Sequence, residues 1–326
     1  MKRHVRLLAA LLLSCLLAGC AFGDPLAERM PALGTPQPVD PAPEPAGEGW
    51  FIVDMYYRYL DEPMLAAEPR ACADDQLATI ISAWMEGPQE SQGLTPLLPS
   101  GVRLISAELR GSLAIITLSG EFYSVMPYVP GAWRSDASWV ERVNVQHRLR
   151  VQALVNTVIE SGLCSSVQLM IHNAATGQPD RPLLATLSIL SDTDDPNETL
   201  GEQYRNTQNV LTPARTLSLI LDAGGKRNAA ALYPYLALRD SRGEKRPPQE
   251  EIATLLQAVD TLTAIVDPST TVTSAQNTAA TVSCSLSFVT RSGERIDDTF
   301  IPVRLIKEEG IWKIELPTLL RILRLS

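Results

Sequence analysis

Apolar and polar positions follow different periods along this chain, and each change of period marks a boundary. The opening run, MKRHVRLLAALLLSCLLAGC, has a basic front at Lys2, Arg3 and Arg6, then a nearly unbroken apolar core from Leu7 to Leu17. That core is shorter than the ~20 apolar residues of a bilayer-spanning helix, and small residues close it, which is the pattern of an export signal. Residues 21–49 show no period. They contain seven prolines (Pro25, Pro31, Pro36, Pro38, Pro41, Pro43, Pro45) and few large apolar groups. A segment so poor in burial surface reads as an extended tether.

From Trp50 the pattern is that of a folded protein. FIVDMYYRY reads as a buried strand and Met64–Cys72 as a weaker second one. Asp74 and Asp75 suit a helix start, with Leu77, Ile80, Ile81, Trp84 and Met85 on one stripe and Gly87-Pro88 as the stop. Ile105, Ala107 and Leu109 alternate with polar residues, Arg110-Gly111-Ser112 turns, and Ala114, Ile116 and Leu118 alternate again, predicting a hairpin. A loop carrying Tyr123, Tyr128, Trp133 and Trp139 leads to a helix expected from about Val145 to Ser161, and a strand at Val167–Ile171 closes the region. The predicted order is β-β-α-β-β-α-β over residues 50–178.

The second region, 182–326, begins with Leu183–Leu190, a strand or a connector, followed by a polar loop or linker across Ser191–Asn209. Thr212-Pro213 is expected to start a helix that Gly224-Gly225 ends. Pro247-Pro248 opens another, with Ile252, Leu255, Leu256, Val259 and Leu262 as its stripe. From Thr270 the period becomes two: Val282, Cys284, Leu286 and Phe288 alternate with serines, and Ile301–Leu305 and Ile311–Ile314 complete an antiparallel meander. The fold class is α+β throughout.

Three resemblances add to this reading. Leu17-Ala18-Gly19-Cys20 resembles the bacterial lipobox. It implies removal of residues 1–19, a diacylglycerol and palmitate on Cys20, and a chain anchored to a cell membrane on its extracytoplasmic side, with 20–49 as tether. The ordered set FIVDMYYRY, ATIISAWMEGP, LLPSGVRLISAELRGSLAIITLSGEF and RLRVQALVNTVIESG…SVQLMIHNAATG resembles the sporulation and spore-germination domain GerM. That family implies a compact α/β module of the ring-building type, which acts by protein assembly in the envelope of spore-forming bacteria. The aromatic insertion at 123–140 departs from it. The helices, meander and GIWKI ending of the second region resemble the cone-shaped nuclear transport factor 2 fold, whose concave face takes a ligand or a partner.

Composition narrows the chemistry. The formal charge is −9, and losing Lys2, Arg3 and Arg6 from the 28 basic residues leaves 25 against 37 acidic ones. Such a chain is poorly suited to nucleic acid or an anionic lipid surface. Cys72, Cys164 and Cys284 lie far apart with no histidine at ligand spacing, so neither a metal nor any other cofactor is expected. Export allows a Cys72–Cys164 disulfide, and Cys284 reads as a core residue. His147, placed on the polar side of its helix, and His172 at a strand end have no catalytic neighbour in sequence. Asp74-Asp75, Asp194-Asp195 and Asp297-Asp298 read as caps, loops and turns. No nucleophile elbow, zincin motif or phosphate loop is present, so an enzyme is not expected. Tyr123, Tyr128, Trp133 and Trp139 are the candidate partner-binding residues, because tyrosine and tryptophan dominate interface hot spots. The other reading of these four is that they fold back on their own domain. The sequence therefore suggests a tethered interaction or assembly module with envelope or sporulation proteins as partners, open to homo-oligomerisation. The alternatives are a solute-binding lipoprotein using the second region's concave face and a cell-wall hydrolase.

Overall fold

The computed structural model describes residues 51–89, 93–174, 178–188 and 195–325. The export signal, Cys20 and the tether lie outside the described residues.

β1 (Phe51–Tyr59) and β2 (Leu65–Cys72) pair antiparallel, with Phe51 opposite Cys72 and Arg58 opposite Leu65. The two-residue β3 (Leu94–Thr95) adds to the other side of β1. α1 (Leu77–Met85) buries Leu77, Ile80, Ile81 and Trp84. Its cap position is Gln76 with no side-chain bond, and the Asp74 carboxylate accepts the Gln76 N–H at 3.0 Å. The acid pair thus shapes the turn before the helix and does not cap it. Gly87 stops α1 at φ +88°, a left-handed conformation that glycine adopts without steric cost.

A second sheet has the order β4-β5-β6-β7, from β4 (Leu104–Arg110), β5 (Leu113–Leu118), β6 (Ser166–Ile171) and the short β7 (Arg181–Pro182). β5 and β6 are parallel, as a helical crossover requires. That crossover is α2, Ala137–Glu160, which starts about two turns before the stripe predicts. Asp136 caps it, accepting the Ser138 N–H at 2.9 Å. The early turns, Ala137–Asn144, carry only Trp139, Val140 and Val143 as large apolar residues, too short a stripe to stand out from the loop before it. Ala185–Ser188 forms the short α3.

Ser191–Asn209 is the expected loop or linker; its described part, together with Val210 and Leu211, runs as a strap against the first region. Val167 and Gln203 exchange backbone bonds at 2.9 and 2.8 Å. The Asn156 side chain donates to the Asn206 carbonyl at 2.7 Å and accepts its N–H at 2.9 Å. Asn209 donates to Gln152 at 2.8 Å, and Leu65 bonds both Asn209 and Leu211. Gln152 and Asn156 of α2 are therefore buried as holders of this strap. His147 is buried too, contrary to its predicted place on a wet face, because the middle of α2 is enclosed on all sides.

The strap feeds α4 (Pro213–Gly225), where Thr212 accepts the Arg215 N–H at 3.2 Å and Pro213 sits in the first turn. Next come α5 (Ala229–Leu232) and α6 (Gln249–Leu256). The expected stripe through Leu262 is broken: α6 ends at Leu256, and Leu262 belongs to β8 (Thr261–Thr273). The β-branched run Thr261-Leu-Thr-Ala-Ile-Val favours a strand, and tertiary pairing decides it. β9 (Ala279–Val289), β10 (Arg295–Glu308) and β11 (Ile311–Lys313) complete an antiparallel sheet of order β11-β10-β9-β8, followed by α7 (Leu316–Ile322).

Val282, Cys284, Leu286, Phe288, Val303 and Leu305 fill one face of this sheet beneath the helices. Gly225 lies so close to β8 that a Cβ there would sit 3.4 Å from the Leu262 carbonyl. The two regions share a core: the Tyr59 and Tyr235 rings lie 5.8 Å apart, and one cluster of buried side chains runs from Val53 to Leu323. The described residues, from Phe51 to Leu325, form one compact unit. The Cys72–Cys164 bridge is not formed; all three described cysteines are buried free thiols. Cys72 ends β2 opposite Phe51, whereas Cys164 precedes β6 in the other sheet.

Candidate interaction surface

The aromatic insertion joins β5 to α2. Its first turn, Gly120–Tyr123, buries Phe122. Tyr123 faces inward, where its hydroxyl accepts the Leu184 N–H at 2.9 Å. Burial raises the Tyr123 pKa. This residue therefore holds its own fold together.

The rest of the loop builds a small satellite core. Met126, Val129 and Val143 are buried together, and Val125, Trp133 and Trp139 pack against them half-exposed. The Arg134 guanidinium lies 4.5 Å from the Trp133 ring centre and that of Arg142 lies 5.2 Å from Trp139, both within cation–π range. Tyr128 is 59% exposed and its hydroxyl is bonded by the Gln146 amide. The loop thus folds back, as one of the two readings held, and still presents Tyr128 and two cation-covered indoles outward. Trp139 is not a loop residue but part of the first turn of α2.

Sequence reasoning missed the residue that fixes this loop. Arg150, on α2, is only 1% exposed. Its Nε donates to the Leu97 carbonyl at 2.8 Å. Its Nη1 donates to the carbonyls of Phe122 and, at 3.1 Å, Ser124. Its guanidinium carbon stands 5.5 Å from the Phe122 ring centre. Burial pulls its pKa down to about 10. The one signal available was a cation placed between Leu149 and Val151, two core positions.

The other candidates are accounted for structurally. His172 Nδ1 lies 2.9 Å from an Asp180 oxygen at the exposed end of β6. Asp297 pairs with Arg295 at 2.9 Å and Asp298 with Arg324 at 2.7 Å. The Ser287 hydroxyl and then Arg295 hold the Asp297 carboxyl below its ordinary value. Asp195 bonds the Asn197 N–H, while Asp194 lies outside the described residues. Among the described residues no group of three or more histidine, cysteine or acidic side chains is placed to hold a metal, and no helix is long and apolar enough to cross a membrane. The helix-covered side of the meander, where a ligand cavity was one expectation, is filled by side chains.

Residues 55–176 match the Germane family, described as sporulation and spore germination. The Germane-matched stretch runs from within β1 through β6, with both main helices and the aromatic loop, and stops before the strap. No curated protein matches the chain. Among solved structures it is similar to the tandem GerMN domains of the sporulation protein GerM from Bacillus subtilis, at 13% identity and a TM-score of 0.28, over 41% of this chain and 43% of that one. It thus spans less than half of that protein's length. A candidate lipoprotein from Clostridium perfringens is similar at 19% identity and a TM-score of 0.23, over 38% of this chain and 76% of that one.

Proposed function

We propose that this chain is a membrane-anchored, extracytoplasmic lipoprotein whose folded part is a protein-interaction module in the envelope of a spore-forming bacterium, acting in sporulation or germination. The match of residues 55–176 to a family described as sporulation and spore germination carries this reading. The apolar run ending in Leu17-Ala18-Gly19-Cys20 supports the anchor, with acyl chains on Cys20. The contact surface is Tyr128 with Trp133 and Trp139 and their covering arginines, a set of residue types enriched at interface hot spots. Tyr123 is left out of it, because its hydroxyl is spent on Leu184. The module acts by contact and turns over no substrate.

The test has two arms. Expressed in a spore-forming host, the full chain should incorporate a clickable palmitate analogue and sediment with membranes, and Cys20→Ala should lose both. Cross-linking in those membranes should then capture partners that are lost with Tyr128→Ala/Trp133→Ala/Trp139→Ala while amide exchange shows β1, β5 and β6 still folded, the satellite core alone being loosened. An unlabelled wild-type chain sinks the anchor. An unchanged partner set in the triple variant sinks the surface.

A further inference from the structure

A sheet edge is a row of unpaired backbone donors and acceptors, and stable proteins blunt such edges with charge, proline, bulges or covering chain. The edges here can be checked one by one. β2 carries Pro69, and its Leu65 end is bonded by Asn209 and Leu211. β4 carries Glu108 and Arg110 and a register shift after Leu104. The part of β10 not covered by β11 carries Arg295, Asp297 and Asp298 and a bulge before Ile301. β3, β7 and β11 are two or three residues long.

β8 differs. It is the terminal strand of the meander, and among the described residues no strand lies on its far side. Its own bulge follows Asp267, next to Pro268, so Thr261–Val266 is regular and has no charge, proline or bulge. Its inner-face residues Leu262, Ala264 and Val266 are only partly buried against the core, and Ile265 on the outer face is 70% exposed.

We infer that Thr261–Asp267 is a pairing edge for a second copy of this chain, joined antiparallel about a two-fold axis at Ala264. Self-complementarity singles out this occupant. With Ala264 opposite Ala264, Leu262 meets Val266 of the second copy on the inner face, and Thr263 meets its Ile265 on the outer face. Asp267 falls opposite Thr261, and Asp260 falls beyond it opposite Pro268, so the flanking carboxylates never meet. The apolar layer under the helices becomes continuous across the join. A seven-residue strand pair is small beside the roughly 800 Å² per partner of a standard interface, so the pairing is concentration-dependent. It lies outside residues 55–176 and does not rest on the reading given above.

The experiment uses the full chain in detergent. Thr263→Cys and Ile265→Cys copies are mixed and oxidised, since directly opposed residues bring their Cβ atoms to about 4.5–5.5 Å, close enough for a disulfide with a small adjustment. The mixture should give a disulfide-linked dimer several-fold above either variant alone and above wild type. Val272→Cys, which is equally exposed at 70% but lies beyond the bulge, should stay at background. Thr263→Lys/Ile265→Lys and Thr263→Glu/Ile265→Glu should each sediment as monomer while wild type dimerises, and mixing the two should restore the dimer. No mixed disulfide, equal linking through Val272→Cys, or a dimer that survives the double lysine variant would overturn the inference.

Discussion

Arg150 gives the most direct test of how the candidate surface is built. Replacing it with methionine keeps a long apolar stem and removes the guanidinium. Two of the carbonyls it bonds, at Leu97 and Phe122, belong to buried residues, whereas Ser124 is exposed and can turn to water. Leaving two buried acceptors unpaired costs roughly 2–6 kcal/mol. Against this, the variant no longer holds a cation inside. With a pKa lowered to about 10, that holding cost is about 3 kcal/mol. The difference runs from a gain of about 1 to a loss of about 3 kcal/mol, centred on a loss of about 1 kcal/mol for Arg150→Met. Arg150→Ala adds a cavity and should lose about 4 kcal/mol. The assay is urea unfolding followed by tryptophan fluorescence, together with amide exchange across 120–135. Arg150→Met should speed exchange in that loop far more than in β1 or β6, because the guanidinium ties Phe122 and Ser124 to α2. Loop exchange and stability both equal to wild type would refute the clamp, and so would an alanine variant no worse than methionine.

Three further outcomes are expected. Burial raises the pKa of Tyr56, Tyr57 and Tyr235, and that of Tyr59 to about 12. Their contribution to stability is complete below the unfolded value of about 10 and is lost as pH rises through the folded values, so urea midpoints should fall above pH ~10 while tyrosinate absorbance appears only on unfolding. A midpoint flat to pH ~12 would contradict this. Cys72, Cys164 and Cys284 are buried with raised pKa, Cys284 to about 11, so an aromatic disulfide reagent should label these three only after denaturation, and fast labelling of the native protein would show the burial to be wrong. Gly87→Ala forces a left-handed conformation at the end of α1 and should cost about 1–2 kcal/mol in thermal unfolding; an unchanged Tm would mean that the helix end relaxes freely.

α1 was legible because Leu77, Ile80, Ile81 and Trp84 repeat at the helical period with polar residues between them. α2 was legible only in its later turns. Its start depends on Asp136 and on Val143 meeting Met126 and Val129, contacts made by a loop with no period of its own. Gln152 and Asn156 are polar yet buried, because a strap some fifty residues later bonds to them. At Leu262 a helical stripe and a strand alternation overlap, and only pairing with Phe288 selects the strand. In the candidate surface, sequence supplied the aromatics and could not separate Tyr123, turned inward, from Tyr128, turned out.

Local order alone determined the α+β class, the exposed and buried faces of β9, the Thr212-Pro213 helix start and the glycine stop of α1, because each depends on neighbours within about one turn or one strand. The packed structure decided which thiols could meet, where α2 begins, that Arg150 holds the loop, and that Thr261–Val266 ends a sheet unprotected. Those facts depend on which distant segment lies alongside, and that choice is made by the whole core acting together.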